Sequence, residues 1–356
     1  MTKKIIFTGG GSAGHVTLNL ALIPIFLQNG WEVFYIGSYK GIEKELIAKI
    51  EQVKYIPILT GKLRRYFSWE NFIDLVKIPV GVLQAIWIVK KIKPNMVFSK
   101  GGFVSFPVVC AAKVNGIKCV MHESDVTPGL ANKMSLPFVS RFFTTFEDTI
   151  KYVKDKYKVD CVGPVLSDRL KNGDKSRACN LCDFDENKPV IMVIGGSLGA
   201  KSLNEAIREN LDNILKKYQI IHICGKGQIA EGLDKTGYKQ FDYVSDELKD
   251  FMAASDVVVS RAGSNSIFEL LSLNKPMILV PLSGASSRGE QMLNAKSFKD
   301  KGYCEIVPDA EVKTKKLLTD TIDKVYNDRH VYQENMKNSG FKVTNNTELA
   351  DKIMKM

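Results

Sequence analysis

The chain has 356 residues, of which 45% are apolar, and its formal net charge is +11. This length and apolar content suffice for two hydrophobic cores. The apolar runs are too short, or too interrupted by polar residues, for a signal peptide or a transmembrane helix. The seven scattered cysteines are typical of reduced thiols rather than of a disulfide framework.

Nearly all of the positive charge lies in the first half of the chain. Residues 1–162 contain 22 Lys and Arg against 12 Asp and Glu, a balance of +10, whereas the rest contains 28 against 27. A basic field confined to one half favours an anionic partner there, such as nucleic acid, a phosphorylated substrate or an anionic membrane surface. An ordinary lysine-rich surface is the alternative interpretation.

Strand-like apolar runs alternate with helical stretches along the chain, which predicts an α/β fold with parallel, doubly wound sheets in both halves. The predicted strands include residues 31–36, 96–98, 118–121, 190–194, 220–223, 257–259 and 277–280. A seam at Gly163 and Pro164 predicts two domains, 1–162 and 163–341, and we expect the tail, 342–356, to pack back onto the first.

A strand, a glycine-rich turn and a helix pattern occur in that order twice, at residues 5–15 and 190–200. Such a turn leaves backbone N–H groups at the positive end of a helix dipole, where phosphate binds. The two turns therefore predict two phosphate-capable halves that face one cleft.

The first turn also matches the dinucleotide fingerprint Gly9-x-Gly11-x-x-Gly14, so an NAD enzyme is one interpretation. The second predicted strand, however, runs into residues 35–38 without the acidic residue that would bind a ribose. His15 follows the last glycine at the predicted helix start, where the dipole favours a neutral imidazole that can accept a proton. A histidine that only makes local hydrogen bonds is the alternative.

Residues 62–100 combine basic and aromatic side chains, with eight Lys and Arg against two acidic residues. Apolar side chains recur there at helical spacing, at Phe72, Val76, Val80, Leu83 and Trp87. A basic amphipathic helix of this kind can rest on an anionic bilayer. The alternative is that the stripe packs against the sheet.

Polar segments follow two further strands of the first half. Lys100–Pro107 is a third glycine-rich turn, and His122–Asp125 follows the next apolar run. Because the carboxyl ends of parallel strands open into one crevice, these segments are candidates for ligand contact. A purely structural tight turn is equally compatible with the first segment.

In the second half, the segment from Arg261 to Glu269 follows a strand and opens a helix. Arg261 offers a fixed fork of donors to a phosphate, and the small residues after it allow backbone amides to approach. Glu269 can accept hydrogen bonds from the hydroxyls of a ribose. Gln291 and Asn294, three residues apart on a predicted helix, carry amides suited to sugar hydroxyls.

Taken in this order, these segments resemble the MurG family of peptidoglycan N-acetylglucosaminyltransferases over essentially the whole chain. The resemblance implies a GT-B fold, in which two Rossmann-like domains face a central cleft, with UDP-N-acetylglucosamine held by the second domain and a lipid-linked acceptor by the first. It implies inverting transfer of N-acetylglucosamine to the C4 hydroxyl of N-acetylmuramic acid in lipid I, giving lipid II, with no metal and no other cofactor. The expected location is the cytoplasmic face of the cell membrane, as a peripheral protein.

Carried over by motif, the resemblance implies two catalytic residues. His15 would be the candidate base, and Glu269 would hold the ribose of the donor. Ser197 would donate to the donor diphosphate, and Val244 would contact uracil through its backbone. The full set of implied substrate-binding residues is Ser12, Ala13, Gly14, Gly102, Phe103, Asp125, Asn132, Ser197, Val244, Arg261, Ala262, Gly263, Ser264, Gln291 and Asn294.

The sequence departs from the family pattern at Leu166, where the family usually has an arginine that contacts the donor. Arg169, a few residues later, is a candidate substitute. Asp125 also stands where many members have asparagine.

Two alternatives remain open at the level of sequence. Another GT-B enzyme that uses UDP-N-acetylglucosamine, such as a 2-epimerase or a glycolipid-forming transferase, would share the donor contacts. A nucleic-acid-binding protein would use the basic half, but its aromatic residues lie in an amphipathic stripe and no nucleic-acid motif is recognised. We therefore expect UDP-N-acetylglucosamine, lipid I and an anionic membrane surface as partners, and no nucleic acid.

Overall fold

The structure is a computed structural model that describes residues 2–61, 69–166, 168–196, 199–282, 289–314 and 316–356, with main chain only at Ala13, 69–75 and Asp168. The chain divides into two compact units. The first comprises Met1–Val165 together with Lys342–Met356, and the second comprises Leu166–Phe341. The first segment of this unit therefore ends at Val165, whereas the sequence predicts a domain boundary after Val162.

The first unit contains seven parallel strands: β1 (Lys4–Thr8), β2 (Glu32–Ser38), β3 (Lys54–Ile58), β4 (Met96–Ser99), β5 (Lys118–Glu123), β6 (Arg141–Thr144) and β7 (Val159–Cys161). Their order in the sheet is β3-β2-β1-β4-β5-β6-β7. The connecting helices are α1 (Thr17–Gln28), α2 (Ile42–Ile47), α3 (Trp69–Ile92), α4 (Ser105–Val114) and α5 (Leu130–Ser135). Short 3-10 helices lie at Ala13–His15, Leu136–Phe138, Glu147–Tyr152 and Lys156–Lys158.

The second unit contains six parallel strands: β8 (Val190–Ile194), β9 (Gln219–Ile223), β10 (Tyr238–Phe241), β11 (Val257–Ser260), β12 (Met277–Leu279) and β13 (Cys304–Ile306). Their order is β10-β9-β8-β11-β12-β13. A 3-10 helix, Asp168–Leu170, precedes the helices α6 (Lys175–Cys182), α7 (Lys201–Glu209), α8 (Leu211–Ile214), α9 (Leu248–Ala254), α10 (Ser264–Ser272), α11 (Glu290–Lys299), α12 (Leu317–Asn327) and α13 (Arg329–Lys337).

The strands form where the sequence has short continuous apolar runs, because both faces of a parallel sheet are covered. In β1, Ile5 and Phe7 belong to the cluster that packs against α1, whereas Ile6 belongs to the cluster on the opposite face. The alternation follows from the two-residue period of a strand. All seven predicted strands are present, with ends that differ by at most two residues, and the predicted α/β fold with parallel sheets is confirmed.

The C-terminal tail returns to the first unit as helix α14 (Asn346–Met354). Asn345 caps this helix through a capping box with Glu348, and Leu349 and Ile353 are fully buried in the cluster that contains α1. The tail therefore completes one face of the first sheet. In the part of the chain that the structure describes, no helix combines the length and apolar character needed to cross a membrane.

Truncation of the buried tail residue Ile353 to alanine should destabilise the first unit. The lost apolar contacts and the cavity left behind are expected to lower its free energy of unfolding by about 2–5 kcal/mol. All three tryptophans lie in this unit, at positions 31, 69 and 87, so tryptophan fluorescence in a urea titration reports on it alone. Lys355→Ala, at the exposed residue that follows this helix, is the control and should change the value by less than about 0.5 kcal/mol; equal effects would contradict the packing of α14.

Candidate active site

Two glycine loops of the first unit are packed directly against each other. The loop after β1 contains Gly11 at φ +85°, and a Cβ there would lie 2.4 Å from a ring carbon of Phe103. A Cβ on Gly102, in the loop after β4, would lie 2.2 Å from the carbonyl oxygen of Gly10 and 3.2 Å from the His15 ring. The glycines are needed because any side chain would separate the loops. The predicted residues Gly102, Phe103 and His15 are thereby brought together.

The ring orientation of His15 is fixed by the second of these loops. Its Nδ1 lies 3.3 Å from the carbonyl oxygen of Lys100. A carbonyl oxygen only accepts hydrogen bonds, so Nδ1 carries the proton and, in the neutral ring, Nε2 is the accepting nitrogen. A neutral imidazole in this tautomer can accept a proton at Nε2. Ser12 and Gly14, beside it, are exposed, and the side chain of Ala13 lies outside the described residues.

A buried carboxylate organises the loop after β5, although the sequence places it only within a segment that is a candidate for ligand contact. Glu123 accepts hydrogen bonds from the main-chain N–H groups of Ser124 at 2.9 Å, Asp125 at 3.2 Å and Gly129 at 3.0 Å. It also accepts one from the Asn132 side-chain amide at 2.9 Å. Burial raises the pKa of Glu123, and the nearby Asp125 adds to this rise. Asn132, predicted to contact substrate, is itself buried and in this structure supports the loop.

A buried lysine lies beside this carboxylate. Lys100 Nζ donates to the Ser124 hydroxyl at 2.6 Å, and burial lowers the pKa of Lys100 while the charges of Glu123 and Asp125 oppose that change. His122 is also buried, and burial together with the Lys100 charge holds its pKa well below the usual range. His122 is therefore neutral. Asp125, whose charge acts on both Lys100 and Glu123, is half-buried.

In the second unit, the glycine loop after β8 leads into helix α7. Gly196 and Gly199 adopt φ values of +90° and +74°, and a Cβ on Gly199 would lie 2.3 Å from the carbonyl oxygen of Cys224. The helix N-cap is Ala200, which has no capping side chain, so the helix supplies N–H groups without a side-chain partner of the usual kind. Ser197, predicted to bind the donor diphosphate, lies outside the described residues.

Arg261 is held by internal partners, unlike the predicted fork directed at a phosphate. Its guanidinium donates to Asp309 at 2.6 Å, to the Val280 carbonyl at 3.0 Å and to the Ser202 hydroxyl at 3.0 Å. Both members of the Arg261–Asp309 ion pair are largely buried. In this structure Arg261 therefore connects the end of β11 to α7.

The loop after β11 leads to an open helix N-terminus. Helix α10 begins at Ser264 after the N-cap Gly263, which has no side chain to cap it, and a Cβ on Gly263 would meet no atom of the described residues within 4 Å. Ala262 is fully buried, and its carbonyl accepts a hydrogen bond from the Asn294 amide at 3.2 Å. Asn294 is completely buried, so in this structure it supports the loop, contrary to the expectation that it faces a sugar.

Of the remaining predicted residues of the second unit, Gln291 and Glu269 are partly exposed and Val244 is buried. Gln291 accepts a hydrogen bond from the Leu282 N–H at 3.0 Å. Val244 lies in the loop after β10 with its side chain buried, next to the exposed Tyr243. Glu269 forms an ion pair with Arg169 at 3.8 Å. Burial raises the pKa of Glu269, and the Arg169 charge opposes that rise.

The apolar stripe on α3 faces solvent. Val76, Val80, Leu83 and Trp87 retain 66, 39, 67 and 64% of their accessible surface, while Ala85 and Val89 on the other face are buried against the sheet. The interpretation that the stripe packs against the sheet is therefore wrong for these four residues. Phe72 lies among the residues whose side chains are not described.

Exposed lysines follow the stripe at the end of α3, at positions 90, 91 and 93. The Lys91 ammonium lies 5.1 Å from the centroid of the Trp87 ring. Within the described ranges, no cluster of three or more His, Cys, Asp or Glu side chains is arranged to hold a metal ion.

Two Rossmann-like units with glycine loops at the carboxyl ends of their strands, together with two matches to family models, show the chain to be a GT-B glycosyltransferase. The N-terminal domain model of glycosyltransferase family 28 matches residues 5–144, and the C-terminal domain model of that family matches residues 190–353. The chain belongs to this family and, within it, to the MurG family, as its relatives show.

One relative, from Geobacillus thermodenitrificans, is 50% identical over 341 residues, which cover 96% of this chain and 95% of the relative. A second, from Clostridium tetani, is 51% identical over 359 residues, which cover 100% of this chain and 99% of the relative. Both are named UDP-N-acetylglucosamine--N-acetylmuramyl-(pentapeptide) pyrophosphoryl-undecaprenol N-acetylglucosamine transferase. The crystal structure of Acinetobacter baumannii MurG shares the fold with a TM-score of 0.78 at 20% identity, over 99% of this chain and 100% of that one.

Replacement of Arg169 by glutamine should raise the pKa of Glu269 further. The guanidinium charge stabilises the ionised carboxylate, so its removal leaves burial unopposed. The pKa is measured by a carbon-detected NMR titration of labelled glutamate, with Glu269→Gln to assign the resonance. Arg177→Gln, which removes the partner of Asp250 instead, is the matched control and should leave Glu269 unchanged. An unchanged pKa in Arg169→Gln would show that the ion pair is not formed in solution.

Proposed function

We propose that the chain transfers N-acetylglucosamine from UDP-N-acetylglucosamine to the C4 hydroxyl of N-acetylmuramic acid in lipid I, with inversion, to give lipid II. The observation that carries this proposal is the identity of about half of all residues, over nearly the full length, with transferases of that name. A structure of a UDP-N-acetylglucosamine 2-epimerase also matches, with a TM-score of 0.62 at 11% identity. That likeness concerns the fold alone, so the epimerase alternative is disfavoured.

The acceptor hydroxyl is activated by His15. Its Nε2 takes the proton from the C4 hydroxyl as the oxygen attacks the anomeric carbon, because Nδ1–H is committed to the Lys100 carbonyl. The new bond forms on the face opposite the leaving group, so the α-linkage of the donor becomes a β-linkage. The bond between the anomeric carbon and the diphosphate oxygen breaks, and UDP leaves with the electron pair.

The second unit holds the donor. The N-terminus of α7, with Ser197 in the loop before it, carries N–H and hydroxyl donors to the diphosphate, where negative charge develops as UDP leaves. Glu269 accepts hydrogen bonds from the ribose hydroxyls, and the main chain at Val244 contacts the uracil. Gln291 faces the transferred sugar, and the open N-terminus of α10 at Gly263 and Ser264 completes the nucleotide site.

The first unit attaches peripherally to an anionic membrane surface at the cytoplasmic face. The exposed side chains at positions 76, 80, 83 and 87 of α3 form an apolar stripe that a bilayer interface can bury, and the lysines that follow favour anionic lipid headgroups. Lipid I carries its diphosphate at that surface, so attachment brings the acceptor to the first unit.

Replacement of His15 by alanine should abolish most of the transfer without affecting the donor site. The general base is expected to contribute roughly 10²–10⁴-fold to kcat. Transfer of labelled N-acetylglucosamine to a short-chain lipid I analogue, with EDTA present, measures kcat. The shift of the melting temperature by UDP, which ligand binding to the native state produces, should remain. The exposed His330→Ala is the control; equal kcat in His15→Ala and the wild type would remove His15 from the mechanism.

Replacement of Leu83 or Trp87 by glutamate should weaken attachment to membranes. Burial of each side chain is worth about 1.5–3 kcal/mol, so each change is expected to lower the partition coefficient onto liposomes with anionic lipid by at least roughly tenfold, since each 1.4 kcal/mol is a factor of ten. Sedimentation with these liposomes measures it. Val331→Glu, at an exposed apolar position of the second unit, is the matched control. Equal binding of the wild type to neutral liposomes would contradict the electrostatic contribution.

A further inference from the structure

A carboxylate of the first unit lies directly behind the loop that carries His15. Glu43 of α2 is completely buried. Its Oε1 accepts hydrogen bonds from the Ser38 N–H at 3.1 Å and from the Ser38 hydroxyl at 2.5 Å. Its Oε2 accepts one from the main-chain N–H of Gly11 at 3.3 Å. We propose that Glu43 is a positioning residue that holds the first glycine loop, and with it His15, in the geometry that transfer requires.

The shape of the loop is fitted to this carboxylate. A Cβ on Gly10 would lie 2.5 Å from the carboxyl carbon of Glu43, and a Cβ on Gly41 would lie 2.1 Å from one of its oxygens. The main chain therefore approaches the carboxylate more closely than any residue with a side chain allows. On its other side the same loop contacts Gly102 and Phe103. The loop after β1 is thus held between Glu43 and the glycine loop after β4.

Neighbouring polar groups fix the ends of this arrangement. The Tyr35 hydroxyl donates to the Gly9 carbonyl at 2.7 Å, and the Tyr55 hydroxyl donates to the Ser38 carbonyl at 2.6 Å. Burial raises the pKa of both tyrosines, and the negative charge of Glu43 adds to the rise, so both hydroxyls stay protonated donors. Glu43 is the member of this group that accepts from the N–H of the loop itself.

Glu43 acts through the loop, because it is buried and its oxygens are directed at Ser38 and Gly11. The contact that sets the His15 tautomer, from Nδ1 to the Lys100 carbonyl, measures 3.3 Å, slightly longer than the usual N–H···O distance. A small displacement of the loop is therefore enough to lose it. Misplacement of a reacting group by about 1 Å can cost on the order of 10²-fold in rate.

The test uses Glu43→Gln in the full chain, and it rests on the proposed function for its activity readout. The variant keeps the size of the side chain but replaces one carboxylate oxygen with an NH₂ group. This group cannot accept the hydrogen bond that the oxygen accepts in the wild type. We expect kcat for transfer to fall roughly 10- to 100-fold, while the melting-temperature shift produced by UDP is unchanged. The double variant with His15→Ala should be no slower than His15→Ala alone, since the two changes remove one function.

Hydrogen exchange provides a second readout that does not depend on the reaction. The Gly11 amide should exchange faster in Glu43→Gln than in the wild type, while amides of β8 in the second unit keep their protection. Glu32→Gln is the matched control, because Glu32 is a partly exposed carboxylate of β2 that pairs with Lys54. It should leave kcat and the Gly11 exchange rate unchanged.

The outcomes separate this inference from the proposed function. Wild-type kcat in Glu43→Gln, additive losses in the double variant, or unchanged exchange at Gly11 would each overturn the positioning role. Absence of product with the wild type would overturn the proposed function instead, and the exchange rate of the Gly11 amide would still decide whether Glu43 holds the loop.

Discussion

Both sheets are parallel, and the polar groups of the candidate site lie mainly at one edge of each. A parallel sheet is covered on both faces, so its strands are largely apolar. Ile5 to Phe7 of β1 and Val257 to Val259 of β11 are accordingly fully buried. Polar groups of the candidate site follow where the strands end, as at Lys100 after β4, Glu123 at the end of β5 and Arg261 after β11. The carboxyl ends of the strands are therefore where this fold gathers polar side chains from distant parts of the chain.

Loops at such an edge must be held by something other than the sheet, and here buried carboxylates do it. Glu43, Glu123 and Asp309 each accept hydrogen bonds from groups in a loop that follows a strand. A buried carboxylate is costly unless its oxygens are satisfied, so each one specifies the geometry of its donors. This reasoning extends the site beyond the residues that face a ligand, and it explains why some of the polar side chains at the edge are internal supports.

The sequence predicted the strands and glycine turns because those features are local. The hydrogen bonds from Gly11 to Glu43 and from Arg261 to Asp309 join residues far apart in the chain, so no spacing rule indicates them. For the same reason the sequence did not indicate that Asn132, implied to bind substrate, and Asn294, expected to face a sugar, are both buried. The α3 stripe was ambiguous for a different reason, since helical periodicity identifies an apolar face without indicating whether it meets the sheet or the solvent.

The strand, glycine-rich turn and helix that occur in both units make different contacts in the two copies. In the first unit the Gly11 N–H already donates to Glu43, and the loop is closed by the second glycine loop. In the second unit α7 and α10 start after Ala200 and Gly263, neither of which has a capping side chain, and among the described residues nothing lies within 4 Å of a Cβ on Gly263. Helix N-termini of this kind favour anions. The first loop instead holds His15 with Nδ1 at the Lys100 carbonyl, so the two copies of the motif, both predicted to be phosphate-capable, have different polar surroundings.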